Sequence, residues 1–317
     1  MSILDGLRKP NSRKKGLKIL VYGPTGSGKT LFALSFPKSI AVDSEDGYSW
    51  YEGTANAKNL LGIMDTQSYD DLEDLLDKLD GSADEFDTLI IDSETKIYEN
   101  IQETLLDVEE ERASKKGRDV LDANLSVRSW GKIKQLAGRL QNLKIRLASQ
   151  GVNIVSVAQS ADVMKDAGNN TRVKIGEKPD FAKKAPYDYD VIIRLFIKDN
   201  KYYGVIEKDR TNTIELGTEI ENPRYELWEK RVNAKDNQGQ TVTKSFADDA
   251  EKSRKAYTKE LEDNMSFADR VKEHLESLDA DGKKKFVQSM VDITGTKKVN
   301  LMNKEQQEKV LELIKLT

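Results

Sequence analysis

The stretch from residue 23 to residue 30 spaces its glycines, lysine and threonine in the way that a triphosphate site requires. Glycines let the backbone come close to the phosphates and turn its N–H groups towards them. The lysine can then reach the β- and γ-phosphates, and the threonine hydroxyl can coordinate Mg²⁺. We therefore predict a site for ATP and Mg²⁺ at Gly23, Pro24, Thr25, Gly26, Ser27, Gly28, Lys29 and Thr30.

The segments on either side of this P-loop fit the same interpretation. Residues 17–22 form a short apolar run typical of a buried parallel strand, and residues 29–36 suit a helix that Pro37 ends. A strand, a loop and a helix in that order are the context in which the pattern binds phosphate. A chance glycine-rich turn is disfavoured because the pattern is complete and stands in this context.

A further apolar strand ends in an acid. Residues 86–93 read Phe-Asp-Thr-Leu-Ile-Ile-Asp-Ser, which predicts a buried strand that delivers Asp92 to the edge of a sheet. Because Mg²⁺ prefers oxygen ligands, we expect Asp92 to hold the ion opposite Thr30. An apolar strand that ends in Asp is weak evidence alone, and it gains weight from the complete P-loop earlier in the chain.

Two other apolar strands lead into Glu45 and Gln159. The carboxyl ends of strands in an open α/β sheet lie beside the ligand crevice, so both side chains are expected near the phosphates. Hydrolysis of ATP needs an acid that positions water, and donors that face the developing charge. We assign the first role to Glu45, with Asp43 or Asp46 as alternatives, and the second to Gln159. The structural alternatives are a solvated loop carboxylate and a strand-end cap.

The composition limits what the chain can do. Its 317 residues can bury a full core and still carry a small second module. A net charge of −4 neither requires nor excludes nucleic acid, so any DNA contact must come from a local patch. The absence of cysteine excludes disulfides, thiolate nucleophiles and cysteine-bound zinc, and the single histidine, His274, lies in an apolar helical pattern that favours packing. With no long apolar run and no export signal, we expect a cytoplasmic protein without membrane contact.

Four regions are predicted along the chain. Residues 1–16 are polar and basic and form a tail. Residues 17–232 alternate strands and helices, which predicts an α/β core with a mainly parallel central sheet flanked by helices. Residues 233–265 form a linker and a connecting helix, and residues 266–317 carry three short helices that make a small bundle.

A long segment with little apolar content, residues 160–187, follows Gln159. We expect a loop, and a loop of this length inside a compact domain is functional or disordered. Its cations form a candidate patch for the phosphates of single-stranded DNA, with a solvated loop as the alternative. These cations are Lys165, Arg172, Lys174, Lys178, Lys183 and Lys184.

The order of these features resembles the RecA-type ATPase core. In that family a strand-end glutamate activates the attacking water, and a glutamine at the end of a later strand senses the γ-phosphate and leads into a DNA-binding loop. Some members carry a Lys-x-Arg that reaches into the ATP site of the neighbouring subunit. The matching positions here are Glu45, Gln159, Lys208 and Arg210, although the Phe-Gly that often follows Lys-x-Arg is absent. An exposed salt-bridging pair is the other interpretation of Lys208 and Arg210.

Within this superfamily, the compact core and the segment Arg8-Lys9-Pro10 resemble phage-encoded RecA-core ATPases of the single-strand-annealing type. The resemblance covers about residues 10–232. It implies a RecA-like, Mg-dependent ATPase that forms a homo-oligomer on single-stranded DNA, in recombination or annealing, in the host cytoplasm. A competing hypothesis is a P-loop ATPase that acts on a protein partner, such as a loader or packaging accessory, through its C-terminal helical module. A small-molecule kinase is disfavoured because the sequence has no lid-like arginine cluster.

Overall fold

The computed structural model describes residues 14–168, 171–234, 249, 252–258 and 265–316. Most of the predicted basic tail and of the predicted linker lies outside these residues. Contacts divide the chain into two compact units, Met1–Ser245 and Phe246–Thr317. Among the described residues, no helix combines the length and apolar character that a membrane crossing requires.

The first unit is built on a sheet that contains nine strands of the described residues. They are β1 (Lys18–Gly23), β2 (Ser39–Asp43), β3 (Leu60–Asp65), β4 (Thr88–Asp92), β5 (Asn153–Asp166), β6 (Arg172–Pro179), β7 (Val191–Lys198), β8 (Lys201–Asp209) and β9 (Glu219–Glu221). The order across the sheet is β3-β2-β4-β5-β1-β7-β8-β9, with β6 beside β5. Neighbours from β3 to β7 are parallel, whereas β6, β8 and β9 pair antiparallel.

Helices cover both faces of this sheet. They are α1 (Lys29–Ala33), α2 (Tyr69–Leu79), α3 (Glu94–Lys115), α4 (Val127–Ser149) and α5 (Glu226–Val232). On one face, α1 and α5 bury Phe32 and Trp228 against the strands. On the other, α2, α3 and α4 bury Leu72, Ile97 and Leu140. Burial of each such side chain contributes about 1.5–3 kcal/mol to the stability of the fold. The sheet is therefore a rigid support for the residues at the ends of its strands.

The strand register brings the predicted site residues together at one edge of the sheet. Gly23 at the end of β1 lies beside Gln159, and Asp43 at the end of β2 lies beside Asp92. Asp92 in turn lies beside Val157 on β5. Because these strands are parallel, their carboxyl ends form a single crevice, which is where open α/β sheets bind ligands.

Residues 160–187, expected as a loop, are mostly a β-hairpin. Strand β5 continues past Gln159 to Asp166, and β6 returns antiparallel to Pro179. The apolar residues that alternate with the charges along these strands, among them Val163 and Val173, carry the period of a strand. The low apolar content of the segment obscured this period. A second hairpin joins β7 to β8 at Asp199-Asn200, with φ of 51° and 58° at the two turn residues.

The described part of the second unit includes α6 (Phe267–Ser277), α7 (Ala280–Thr294) and α8 (Lys304–Leu316). Its core contains Val271, Phe286 and Val310. The His274 ring lies with its centroid 4.5 Å from that of Phe286, so the packing role predicted for the histidine is confirmed. The predicted fold class is confirmed as well: the chain is an α/β protein with a mainly parallel sheet, flanking helices and a helical C-terminal region.

Candidate nucleotide site

The P-loop connects β1 to α1 in a conformation that depends on glycine. Gly26 and Gly28 have φ of 76° and 88°, in the left-handed region that other residues rarely adopt. At Gly23 the requirement is one of space, because a Cβ would lie 2.3 Å from the carbonyl oxygen of Leu195. No side chain caps the N-terminus of α1, whose N-cap is Gly28. The loop therefore keeps its backbone N–H groups close to the place where phosphates are expected.

Tyr202 of β8 contacts the loop from the side. A Cβ on Gly28 would lie 3.1 Å from the Tyr202 ring. Both the positive φ and the contact with Tyr202 therefore favour glycine at this position. Sequence reasoning missed this tyrosine, since nothing in its neighbourhood indicates that the β7–β8 hairpin reaches the P-loop.

Lys29 and Thr30 occupy the first turn of α1. The Lys29 ammonium donates to the carbonyl oxygens of Gly23, at 3.0 Å, and Pro24, at 2.9 Å. Burial lowers the pKa of Lys29, and the nearby charges of Asp92 and Glu45 oppose this shift. The lysine therefore lies within its own loop and close to two acids, where the charge of a triphosphate would also favour its protonated form.

Asp92 lies opposite Thr30, as predicted. The Thr30 hydroxyl donates to Oδ2 of Asp92 at 2.8 Å, and the aspartate is only 5% exposed. Burial raises the pKa of Asp92 to about 7; the charges of Glu45 and Asp43 add to this shift, whereas the Thr30 hydrogen bond and Lys29 oppose it.

These residues fit a magnesium ion. The donor atoms are oxygens, and buried like charges would be relieved by a divalent cation. No cluster of three or more His, Cys, Asp or Glu side chains suited to a metal exists among the described residues.

Glu45 and Gln159 meet beside Asp92. Oε1 of Glu45 accepts a hydrogen bond from Nε2 of Gln159, at 2.8 Å, and another from the hydroxyl of Ser93, at 2.6 Å. The ends of β2 and β5 thus meet across β4, the strand that separates them in the sheet. An acid and an amide held together next to the P-loop can orient a water molecule and sense the terminal phosphate.

The two alternative acids are placed differently. Asp43 is 3% exposed, and its carboxylate accepts from the backbone N–H groups of Glu45, at 3.0 Å, and Tyr48, at 2.8 Å. It therefore fixes the turn that carries Glu45. Asp46 forms part of the same turn with a φ of 54°. Of the three acids, Glu45 is the one that touches Gln159, which favours it for the catalytic role.

Three hydroxyl groups that sequence reasoning did not assign hold this arrangement. The Ser44 hydroxyl donates to the carbonyl oxygen of Ser93, at 3.0 Å, and accepts the backbone N–H of Ser93, at 2.7 Å. Thr95 accepts the N–H of Gln159 at its side-chain oxygen, at 3.0 Å. Ser44 and Ser93 each directly follow a strand that ends in an acid, which is their one signal in the sequence, and Thr95 has no such signal.

Comparison with known proteins decides the family. Residues 15–224, more than half of the chain, match the family described as an AAA domain. The chain belongs to this family. A comparison with curated proteins gave no match. Among solved structures, it resembles the crystal structure of the RadB recombinase, with 17% identity and a TM-score of 0.41 over 66% of this chain and 87% of that one, a likeness of fold alone.

Lys208 and Arg210 of this AAA-domain protein lie near the start of β1, at the opposite end of the parallel strands from the P-loop. The backbone N–H of Arg210 donates to the carbonyl oxygen of Asp190, and the N–H of Asp190 donates to the carbonyl oxygen of Lys18 at the start of β1. The P-loop follows the other end of that strand. The Lys208 ammonium and the Arg210 guanidinium both donate to the carbonyl oxygen of Tyr187, at 3.1 and 3.0 Å. The structure therefore does not bring this pair to the nucleotide site of its own chain.

The cations predicted to bind DNA lie on the β5–β6 hairpin and just beyond it. Residues opposite one another in an antiparallel pair share a face. The register places Lys165 opposite Val173, and Lys178 opposite Ala161, on what we call the apolar-cationic face, which also carries Val163. Lys183 and Lys184 are exposed on the segment that follows the hairpin.

The other side, which we call the ion-paired face, carries Asp162, Lys174 and Glu177. Lys174 forms salt bridges of 2.7 Å to both of these acids. Arg172, on the same face, stands opposite Asp166 in the register. Two of the six cations thus lie on each face and two lie beyond the hairpin, and the positive charge at Lys174 is offset by its acidic neighbours.

Proposed function

We propose that this AAA-domain protein binds and hydrolyses ATP with Mg²⁺ and uses the cycle to act on single-stranded DNA, as a homo-oligomer, in phage-type recombination or annealing. One observation carries the proposal. The Gln159 side chain contacts Glu45 in the nucleotide site, and its carbonyl oxygen accepts the N–H of Asp180, at 2.9 Å, at the base of the β5–β6 hairpin. A single residue therefore joins the site of hydrolysis to the proposed DNA-binding element.

The side chains divide the work of hydrolysis. Lys29 neutralises charge on the β- and γ-phosphates, and Thr30 and Asp92 would hold the magnesium ion. When bound, the ion supplies further neutralisation of the phosphate oxygens. Glu45 accepts a proton from the attacking water, and the donors Ser93 and Gln159 fix the orientation of its carboxylate.

The hairpin supports the DNA part of the proposal. Its apolar-cationic face offers ammonium groups for phosphates and the side chains of Val163 and Val173 for the bases. The ion-paired face offers less, because Lys174 already has two acidic partners. We therefore propose that the single-stranded DNA lies along the apolar-cationic face and continues past Lys183 and Lys184.

The position of Lys208 and Arg210 supports the assembly. Both lie far along the sheet from the P-loop of their own chain, so they can serve an ATP molecule only if it is bound by a second copy. Their present partners are backbone carbonyl oxygens at residues 186 and 187, which are exposed enough to be exchanged for a phosphate.

Binding of a fluorescent oligothymidylate across a salt series, together with ATP turnover with and without that DNA, tests the proposal. We expect DNA to raise turnover, and log K for binding to fall linearly with log salt concentration. The variants Lys165→Gln and Lys178→Gln should each weaken binding and reduce the salt slope by about 0.7, the value per phosphate contact for single strands.

Lys174→Gln is the matched control, since it removes the same charge from the ion-paired face. It should change the salt slope by much less than either of the other two variants. Equal effects on both faces would contradict the assignment of the face. Turnover that no DNA stimulates, with no salt-dependent binding, would contradict the DNA function and favour a protein partner of the second unit.

A further inference from the structure

A buried ion pair lies beneath the start of α3, outside the nucleotide site. Glu94 and Lys144 are 3% and 1% exposed. The Lys144 ammonium lies 2.9 and 2.8 Å from the two carboxylate oxygens of Glu94. It also lies 2.6 Å from the hydroxyl of Tyr189 and 3.2 Å from that of Ser156. The pair thus joins α3 to α4, to β5 and to the segment that precedes β7.

Additional donors satisfy the hydrogen-bonding capacity of the Glu94 carboxylate. The Tyr189 hydroxyl donates to Oε2 of Glu94 at 2.8 Å, and Nε2 of Gln141 donates to Oε1 at 2.7 Å. Each oxygen of Glu94 therefore has two hydrogen-bond partners. Apolar side chains of similar volume often stabilise a core as well as or better than a buried ion pair, so stability alone is a poor explanation for this one.

The location of Glu94 indicates what the pair does. The preceding residue, Ser93, donates to Glu45, and the following residue, Thr95, accepts the N–H of Gln159. Ser93 and Thr95 flank Glu94 in the chain, so a displacement of Glu94 moves both of these contacts. Ser156, the other partner of Lys144, stands three positions before Gln159 on β5.

We propose that Lys144 is a positioning residue for hydrolysis. By holding Glu94, it fixes the first turn of α3, and that turn presents Glu45 and Gln159 to the terminal phosphate through Ser93 and Thr95. This inference rests on the proposed ATPase function. Lys144 is 1% exposed and its ammonium bonds Glu94, Ser156 and Tyr189, none of which belongs to the P-loop, so its loss should affect catalysis and leave binding by the P-loop unchanged.

The test compares Lys144→Met with Leu140→Ala. Leu140 lies one turn earlier on α4 and is buried in the same layer, so its truncation loosens packing and leaves the ion pair in place. For Lys144→Met we expect kcat to fall about a hundredfold, the scale of a displacement of about 1 Å at a catalytic group, with an unchanged Kd for ATP. For Leu140→Ala we expect a lower melting temperature and near-normal kcat below it.

Amide hydrogen exchange supplies a second measurement that needs no turnover. In Lys144→Met the amide of Gln159, which bonds Thr95, should exchange faster, as should the amides of residues 93–97, while those of β1 keep their wild-type rates. Leu140→Ala should not show this local pattern. If Lys144→Met matches Leu140→Ala in both kcat and exchange, the positioning role is wrong.

A milder variant covers the case in which Lys144→Met does not fold. Tyr189→Phe removes one hydroxyl from the network and keeps the ion pair, and we expect the same local rise in exchange at Gln159, with a smaller loss of kcat. Unchanged exchange there would overturn the inference. Wild-type protein that does not hydrolyse ATP would contradict the proposed function instead, and the exchange comparison would still decide the positioning role.

Discussion

Glu45 works as part of a small group of side chains. Its carboxylate is oriented by Ser93 and Gln159, and Asp43 fixes the turn below it through two backbone N–H groups. An acid held in this way keeps its direction when water arrives, which is the geometric requirement for a general base. The roles of the neighbouring acids can therefore be separated by substitution.

Glu45→Gln should bind ATP normally and hydrolyse it at least about a hundredfold more slowly, because the amide keeps the shape of the side chain and loses the base. Single-turnover hydrolysis and fluorescent-nucleotide binding measure the two quantities. Asp46→Asn is the matched control in the same turn and should stay near wild-type activity. If Asp46→Asn loses activity and Glu45→Gln keeps it, the catalytic acid is the neighbouring residue.

Helix α4 carries two glycines whose presence lowers its stability. Gly131 and Gly138 are exposed positions inside this helix, and a Cβ on either would meet no atom within 4 Å. Neither is required for a turn or a close approach. Alanine at such positions restricts the unfolded chain and costs nothing in the folded helix.

We expect Gly138→Ala to raise the free energy of unfolding by about 0.5–1 kcal/mol. Denaturant titration followed by far-ultraviolet circular dichroism measures this change. Gly23→Ala serves as the opposite control, since its Cβ would collide with a backbone carbonyl group. A destabilised Gly138→Ala would mean that the exposed face of α4 makes contacts that a single chain does not show.

Some elements could be predicted from sequence and others could not, for identifiable reasons. The P-loop and the strand that ends in Asp92 depend on local patterns, and the structure reproduces them. The charged residues after 108 lack an apolar helical pattern, yet they continue α3 to Lys115, because acids and bases at helical spacing pair, as Arg112 does with Glu109.

The contacts that complete the site could not be predicted in this way. The bond between Glu45 and Gln159 joins residues from separate strands, and the pairing of Glu94 with Lys144 joins two helices. Each depends on which elements become neighbours in the folded sheet, and a single sequence carries no local signal for that. The face of the β5–β6 hairpin on which each lysine lies depends on register and was equally inaccessible.

For the whole molecule, the question is whether one chain contains a complete site. Lys208 and Arg210 lie at the opposite end of the parallel strands from the P-loop, so their charge can assist hydrolysis only across an interface between copies. Such cations act on the charge that develops during the reaction and matter more for turnover than for ATP affinity.

We therefore expect the ATPase rate per subunit to rise with protein concentration, and Arg210→Ala to remove this rise while leaving nucleotide binding intact. Mixing supplies the control: Arg210→Ala protein, which has a sound P-loop, combined with Lys29→Ala protein, which has a sound Arg210, should regain partial activity. A rate that does not depend on concentration, without rescue on mixing, would mean that the site is complete within one chain.

ATP turnover by wild-type protein and by Lys29→Ala, each with saturating single-stranded DNA, decides whether the P-loop hydrolyses ATP. If Lys29 faces the γ-phosphate as proposed, its removal should abolish hydrolysis and weaken ATP binding. We expect DNA-stimulated turnover in the wild type and none above background in the variant. Near-normal turnover by Lys29→Ala would contradict the account of the nucleotide site.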